Sequence, residues 1–193
     1  MSDYDILRED SNGVSVIPID AQLLSDRKIY IDGIIDSQMA IDFSKKMMYL
    51  MREDEPIDIY ISSMGGEVNA GLCIYDIIQS CSNDINIYCV GNACSMAAVL
   101  LASGQKGRRY ILPHSKVMVH EVLVNSGIGG SATSISEISK SILGTRDIVN
   151  GILAEHTGKS IKEINKATSF DNYMTAEEAV KFGICDEIVN GLN

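Results

Sequence analysis

The chain has 193 residues, 46% of them hydrophobic and 22% charged, which excludes a disordered or fibrous protein and allows one sizeable core. Its formal net charge of -10 excludes the basic surface that a nucleic-acid binder needs. The longest apolar run, Met96 to Ala102, falls far short of the roughly 20 residues that span a bilayer, and the acidic start MSDYDILRED lacks the basic head and apolar stretch of a signal peptide. A cytoplasmic protein with no nucleic-acid or membrane partner is expected. The five cysteines, Cys73, Cys81, Cys89, Cys94 and Cys185, show no CxxC pair and no histidine at zinc-finger spacing, so buried reduced thiols are expected rather than disulfides or a metal site.

In chain order, RKIYIDGIID (Arg27 to Asp36) reads as a strand, and SQMAIDFSKKMMYLMRED after it repeats its apolar residues at helical spacing. The pattern returns as IDIYIS (Ile57 to Ser62), a Gly65-Gly66 turn and the helical NAGLCIYDIIQSC. It returns again as INIYCVG (Ile85 to Gly91) and SMAAVLLAS, stopped at Gly104. Three strand-helix units in succession imply right-handed crossovers and a mainly parallel sheet, an α/β fold. Two short apolar runs follow, RYIL and KVMVHEV, separated by the turn-like PHS; then a glycine- and serine-rich segment leads into a helix from about Ser136 to Thr157, stopped by Gly158. Ser160 caps a short helix, TAEE at Thr175 forms a capping box, and CDEIV ends the chain as a strand. No linker, repeat or charge block divides residues 1–193, which form a single domain.

In an open parallel sheet, catalytic groups gather beyond the carboxyl ends of strands, which places SSMGGEV and GNACSM at one cleft. Read locally, Ser95 is either the N-cap of its helix or a nucleophile, and Cys94 is either a packed thiol or the reactive atom. Gly65 and Gly66 lack the lysine of a phosphate-binding loop. A hydroxyl nucleophile needs a base, and there are three histidines. His156, at the foot of the long helix, suits a capping role; His114 follows Pro113 in a turn and faces solvent; His120 ends an apolar strand.

The stretches SSMGGEVNAGLCIYD, GNACSMAAVLLASGQKGRRYILPHSKVMVHE and HTGKSIKEINKATSFDNYMTAEEAVKFGICDEI resemble the ClpP family, the proteolytic subunits of the ATP-dependent Clp protease. The likeness runs from AQLLSDRKIYIDGIID to the last strand. It implies a crotonase-like α/β fold with repeated β-α units, an amino-terminal axial segment over 1–19, and a handle strand and helix over 121–158 that make the contact between rings. It implies a serine endopeptidase acting on unfolded polypeptides, with Ser95 as nucleophile, His120 as base and Asp171 as the orienting carboxylate. The oxyanion-hole amides fall on Gly66 and Met96, and Gly65 and Glu121 fall at the substrate cleft. The implied assembly is a tetradecamer of two stacked heptameric rings fed by an AAA+ unfoldase of the ClpX, ClpA or ClpC type. No cofactor or metal is implied for this chain, since ATP is used by the unfoldase.

The chain departs from the family pattern at named places. Met64 stands where the family has proline, Glu121 and Val122 replace Gln-Pro after the histidine, and the segment up to the long helix is about two residues longer. Ser169 and Phe170 replace an Asp-Arg pair that bridges rings, and Ser134 replaces a carboxylate on the preceding strand. These changes raise an alternative: a catalytically weak or regulatory paralogue acting as partner subunit in a mixed ClpP assembly. The axial segment is acidic where the family's is basic. Tyr60, Tyr88 and Tyr110 fall near the family's apolar docking pocket for the unfoldase, or serve as ordinary strand packing. An acyl-CoA hydratase or isomerase of the wider superfamily ranks last, because it leaves Ser95, His120 and Asp171 without a joint purpose.

Overall fold

The structure, a computed structural model, describes residues 4–10, 13–124 and 127–192. Its elements are β1 (Asp5–Asp10), β2 (Gly13–Pro18), α1 (Ile19–Ser25), β3 (Lys28–Ile35), α2 (Ser37–Leu50), β4 (Ile57–Gly66), α3 (Val68–Ser80), β5 (Ile85–Cys94) and α4 (Met96–Ala102). There follow β6 (Arg109–Ile111), β7 (Lys116–Val119), α5 (Ala132–Thr157), α6 (Ile161–Thr168), β8 (Asn172–Met174), α7 (Ala176–Phe182) and β9 (Glu187–Ile188).

Strict alternation builds the sheet. Ile29 and Ile31, Ile57, Ile59 and Ile61, and Ile85 and Ile87 are buried in one continuous core with α2, α3 and α4, because successive strand residues point to opposite faces. Strands β3-β4-β5-β6-β9 form a parallel series, as three β-α crossovers require. The other face carries a row of tyrosines in register: Tyr30, Tyr60, Tyr88 and Tyr110, with successive ring centroids 4.9, 5.1 and 4.9 Å apart. Cross-strand neighbours at this spacing stack, so Tyr60 is buried by its own neighbours. No helix among the described residues is long and apolar enough to cross a membrane.

Strand β5 serves two partners. Its Ile87–Cys89 part pairs with β6, and its Asn92–Cys94 part pairs with β7, which continues antiparallel to β8. The strand splits at Gly91, whose φ of +98° suits only glycine. Ser115 sutures the split, its hydroxyl donating to the Cys89 carbonyl at 3.1 Å and accepting from the Gly91 amide at 2.8 Å. The divergence delivers the end of β5 to β7, and therefore Ser95 to the strand that His120 directly follows.

One buried arginine ties the helices together. The Arg109 guanidinium donates to the carbonyls of Ala102, His156 and Gly183, at the carboxyl ends of α4, α5 and α7, and to both oxygens of Asp186. Helix ends leave carbonyls unpaired and partly negative, so a cation there satisfies geometry and charge at once. Burial opposes ionisation of Asp186, but bonds from Arg109 and backbone amides outweigh it and hold its pKa below the usual range.

Several expectations are corrected. Gly65 and Gly66 are not a turn: they end β4, laddered to Ile34 and Ile35, because a Cβ on Gly66 would fall 2.0 Å from the Ile35 carbonyl oxygen and only glycine lets the strands stay paired. The handle strand is not a strand among the described residues, since 121–124 and 127–130 pair with no sheet edge. The long helix instead begins at Ala132, capped by Ser131 accepting from the Ser134 amide, so Ser134 lies in the first helical turn. His156 is no cationic cap: its ring meets the Tyr75 hydroxyl at 3.2 Å, burial lowers its pKa, and Arg109 takes the helix-end carbonyl. Cys73 is exposed, on the outward side of α3, while the other four cysteines are buried and all five are free.

The amino-terminal segment contains an antiparallel hairpin of β1 and β2; residues 1–3 and 11–12 lie outside the described ones. Ser160 caps α6 and Thr175 forms a capping box, as read from sequence; at Ser160 the structure adds the reciprocal Glu163 bond that makes a full capping box there too. Ser160→Ala is expected to lower stability by about 1 kcal/mol, read from urea unfolding, because it strips the first turn of α6 of its hydroxyl acceptor and leaves the Glu163 carboxylate only the bond from the residue 160 amide.

Candidate active site

The elements converge on one cleft of about 330 Å³. Ser95, Met96, Gly65, Gly66, His120 and Glu121 all line it. Two irregularities in β4 shape it: the register against β3 skips Met64, and the register against β5 shifts between Ile61 and Ser63. Such bulges re-aim strand ends and recur beside active sites. Met64, standing where the resembled family has proline, is 59% exposed and lines the cleft. The Ser63 hydroxyl braces this bulge by donating to the Gly33 carbonyl at 2.6 Å and accepting from the Gly65 amide at 3.0 Å.

Ser95 is held in an unusual backbone. Its φ of 55° and ψ of -123° make it one of two non-glycine residues with positive φ among those described. A side chain there costs on the order of 1–3 kcal/mol and persists only where surroundings enforce it. Here the Ser95 amide donates to the Met118 carbonyl at 2.8 Å, while its carbonyl accepts from Ala98 and Val99. A capping serine would return its hydroxyl to the first helical turn; Ser95 makes no such bond. The Oγ is therefore left to the cleft. Gly65 is pressed against this turn, because a Cβ there would lie 2.7 Å from the Ser95 Cβ and 3.2 Å from the Met96 nitrogen. Met96 opens α4, so its amide has no partner within the helix. All seven residues of α4 are buried, which fixes that amide in place.

Cys94 is buried, and burial raises the pKa of its thiol. A protonated, enclosed thiol is a poor nucleophile. Between the two neighbours, exposure and backbone strain both mark Ser95.

His120 follows β7 directly, on the rim of the cleft. Its Nδ1 is the buried side-chain nitrogen or oxygen left without a hydrogen-bond partner among the described residues. Asp171 precedes β8, whose Asn172 pairs with Val119, so the topology brings Asp171 beside His120. It does not join them: Asp171 is exposed, is not part of the cleft lining, and leaves Nδ1 unbonded. His114, as expected, is exposed, and it is not among the residues that line the cleft.

Sequence reasoning missed the apolar floor. Val68, Val99, Val149 and Leu153 line the cleft beside Ser95. Val149 and Leu153 share a face of α5 at i, i+4 spacing, which was readable, but nothing in the chain said that this helix lies against α4. Arg146 was missed too; it reaches Glu121 at 3.5 Å. A family model of the Clp protease matches residues 11–191, so the chain belongs to the Clp protease family, a family of peptidases, and has its ClpP-type crotonase-like α/β fold.

Proposed function

We propose that the protein is a serine endopeptidase that cleaves unfolded polypeptides, the proteolytic subunit of an ATP-dependent Clp protease. Ser95 attacks the peptide carbonyl, His120 takes the proton and returns it to the leaving amine, and Asp171 holds the imidazole in the required tautomer. The amides of Gly66 and Met96 receive the oxyanion, and each such donor is worth on the order of 10²-fold in rate. Gly65 and Glu121 border the bound chain, and the apolar floor accepts a hydrophobic side chain. The reaction needs no cofactor or metal. What supports this reading most is the enforced backbone of Ser95, with an uncapped hydroxyl in the same cleft as the imidazole of His120. The pairing of Asn172 with Val119, which brings Asp171 beside His120, supports the third role.

The subunits form heptameric rings stacked as a tetradecamer in the cytoplasm, and an AAA+ unfoldase feeds them. The in-register tyrosine row with Tyr60, Tyr88 and Tyr110 is the face on which the unfoldase docks. A second reading, a catalytically weak paralogue working in a mixed ClpP assembly, is favoured by the unmade His120–Asp171 bond and by Phe170, which is 61% exposed just before Asp171. A fluorophosphonate probe separates the two when read with sedimentation. Labelling of Ser95 in a self-assembled particle is expected; an intact particle that resists the probe favours the partner subunit, and a free chain labelled only beside a second ClpP favours the mixed assembly.

A further inference from the structure

The rim of the cleft carries a charge that the serine chemistry does not use. Among the residues lining it, Glu121 is the one with a formal charge. Its carboxylate is half exposed, next in the chain to His120. Facing it is Arg146 of α5, whose guanidinium is anchored elsewhere: Nε and Nη2 bond Asp147 at 3.1 and 2.9 Å, leaving Nη1 the long contact of 3.5 Å to Glu121. An exposed pair at that separation contributes only about 0–1 kcal/mol. Glu121 is thus neutralised loosely and is free to accept another cation.

Position turns this into selectivity. Arg146, Val149 and Leu153 follow one another at i, i+3 and i+7 on α5, and the latter two belong to the apolar floor. The arginine therefore stands above that floor at the rim, and its carboxylate partner adjoins the proposed base. We infer that Glu121 is a specificity residue of this cleft: it favours polypeptide segments carrying a lysine or arginine beside the bond held over Ser95. Arg146 moderates the preference by competing for the same carboxylate. The inference rests on reading the cleft as a peptide site.

The test uses the full-length Ser95→Ala protein and two fluorescent peptides identical except for a central Lys or Glu, with binding read by anisotropy. The Lys peptide is expected to bind about 2- to 5-fold more tightly, the ratio an exposed charge pair supports. Glu121→Gln should bring the ratio to about one, and Arg146→Gln should raise it. Opposite responses to two neutralising substitutions are not produced by a merely structural role. A ratio unchanged by Glu121→Gln, or failure of both peptides to bind, overturns the inference. Binding with the expected ratio by a chain whose native form cleaves neither peptide leaves the inference standing and overturns the proposed peptidase.

Discussion

Ser95→Ala is expected to lower peptide hydrolysis by about 10⁴-fold or more while leaving the sedimentation of the particle unchanged. The large effect follows from chemistry: without the Oγ there is no acyl intermediate, and only the oxyanion amides and substrate binding remain. The small structural effect follows from geometry. The hydroxyl makes no capping bond, so its removal leaves no buried donor or acceptor unpaired, and the unfolding free energy should move by less than about 0.5 kcal/mol. Ser95→Gly should be equally inactive yet more stable, by about 1 kcal/mol, because glycine adopts a φ of 55° without strain. Urea unfolding beside a peptidase assay reads both. Loss of stability in Ser95→Ala would mean that the hydroxyl is a cap after all, and retained cleavage with loss in Cys94→Ala would move the nucleophile to the thiol.

The largest loss of stability is expected at Arg109. Arg109→Met should cost about 3–5 kcal/mol in urea unfolding, the range for removing one partner of a buried pair. Asp186 would be left with an uncompensated charge, and three helix-end carbonyls with no donor. The double variant Arg109→Met, Asp186→Leu separates these contributions. It removes the stranded charge but not the stranded carbonyls, so it should recover part of the loss and no more. The pair also makes stability depend on pH. Because the folded pKa of Asp186 is depressed, its contribution is fully present above the unfolded value near 4 and is lost as pH falls through the folded one. Wild-type stability should drop below about pH 4, and the double variant should lack that part of the drop. A cost under 1 kcal/mol for Arg109→Met would show that the helix ends find other donors.

Much of this was written in the chain. Isoleucine alternation over 29–31, 57–61 and 85–87 specified strands, and the apolar helical periods between them specified a parallel sheet, because a strand followed by a helix can return to the sheet in only one hand. The cap at Ser160 and the capping box at Thr175 were legible because each needs only residues three apart. The roles proposed for Ser95, His120 and Asp171 rest on motif resemblance, and that of Glu121 on a departure from it.

The rest depended on contacts between distant segments. Whether the serine of GNACSM caps its helix or is held strained is decided by where β7 lies, since Met118 holds the Ser95 amide and Gly65 closes on its Cβ. Local propensity favoured the cap; the tertiary ladder overrode it. The same applies to Gly65 and Gly66, whose turn-like pair becomes the end of a strand once Ile35 lies against it. Arg109 read as one more basic residue before a short strand, and became the common partner of three helix ends that meet only in the folded chain. Sequence alone determined which residue types were present, in what periods and in what order, because those follow from neighbours along the chain. Tertiary structure decided which carbonyls, carboxylates and glycines surround each reactive group, because backbone strain, burial and hydrogen-bond partners are set by segments tens of residues away.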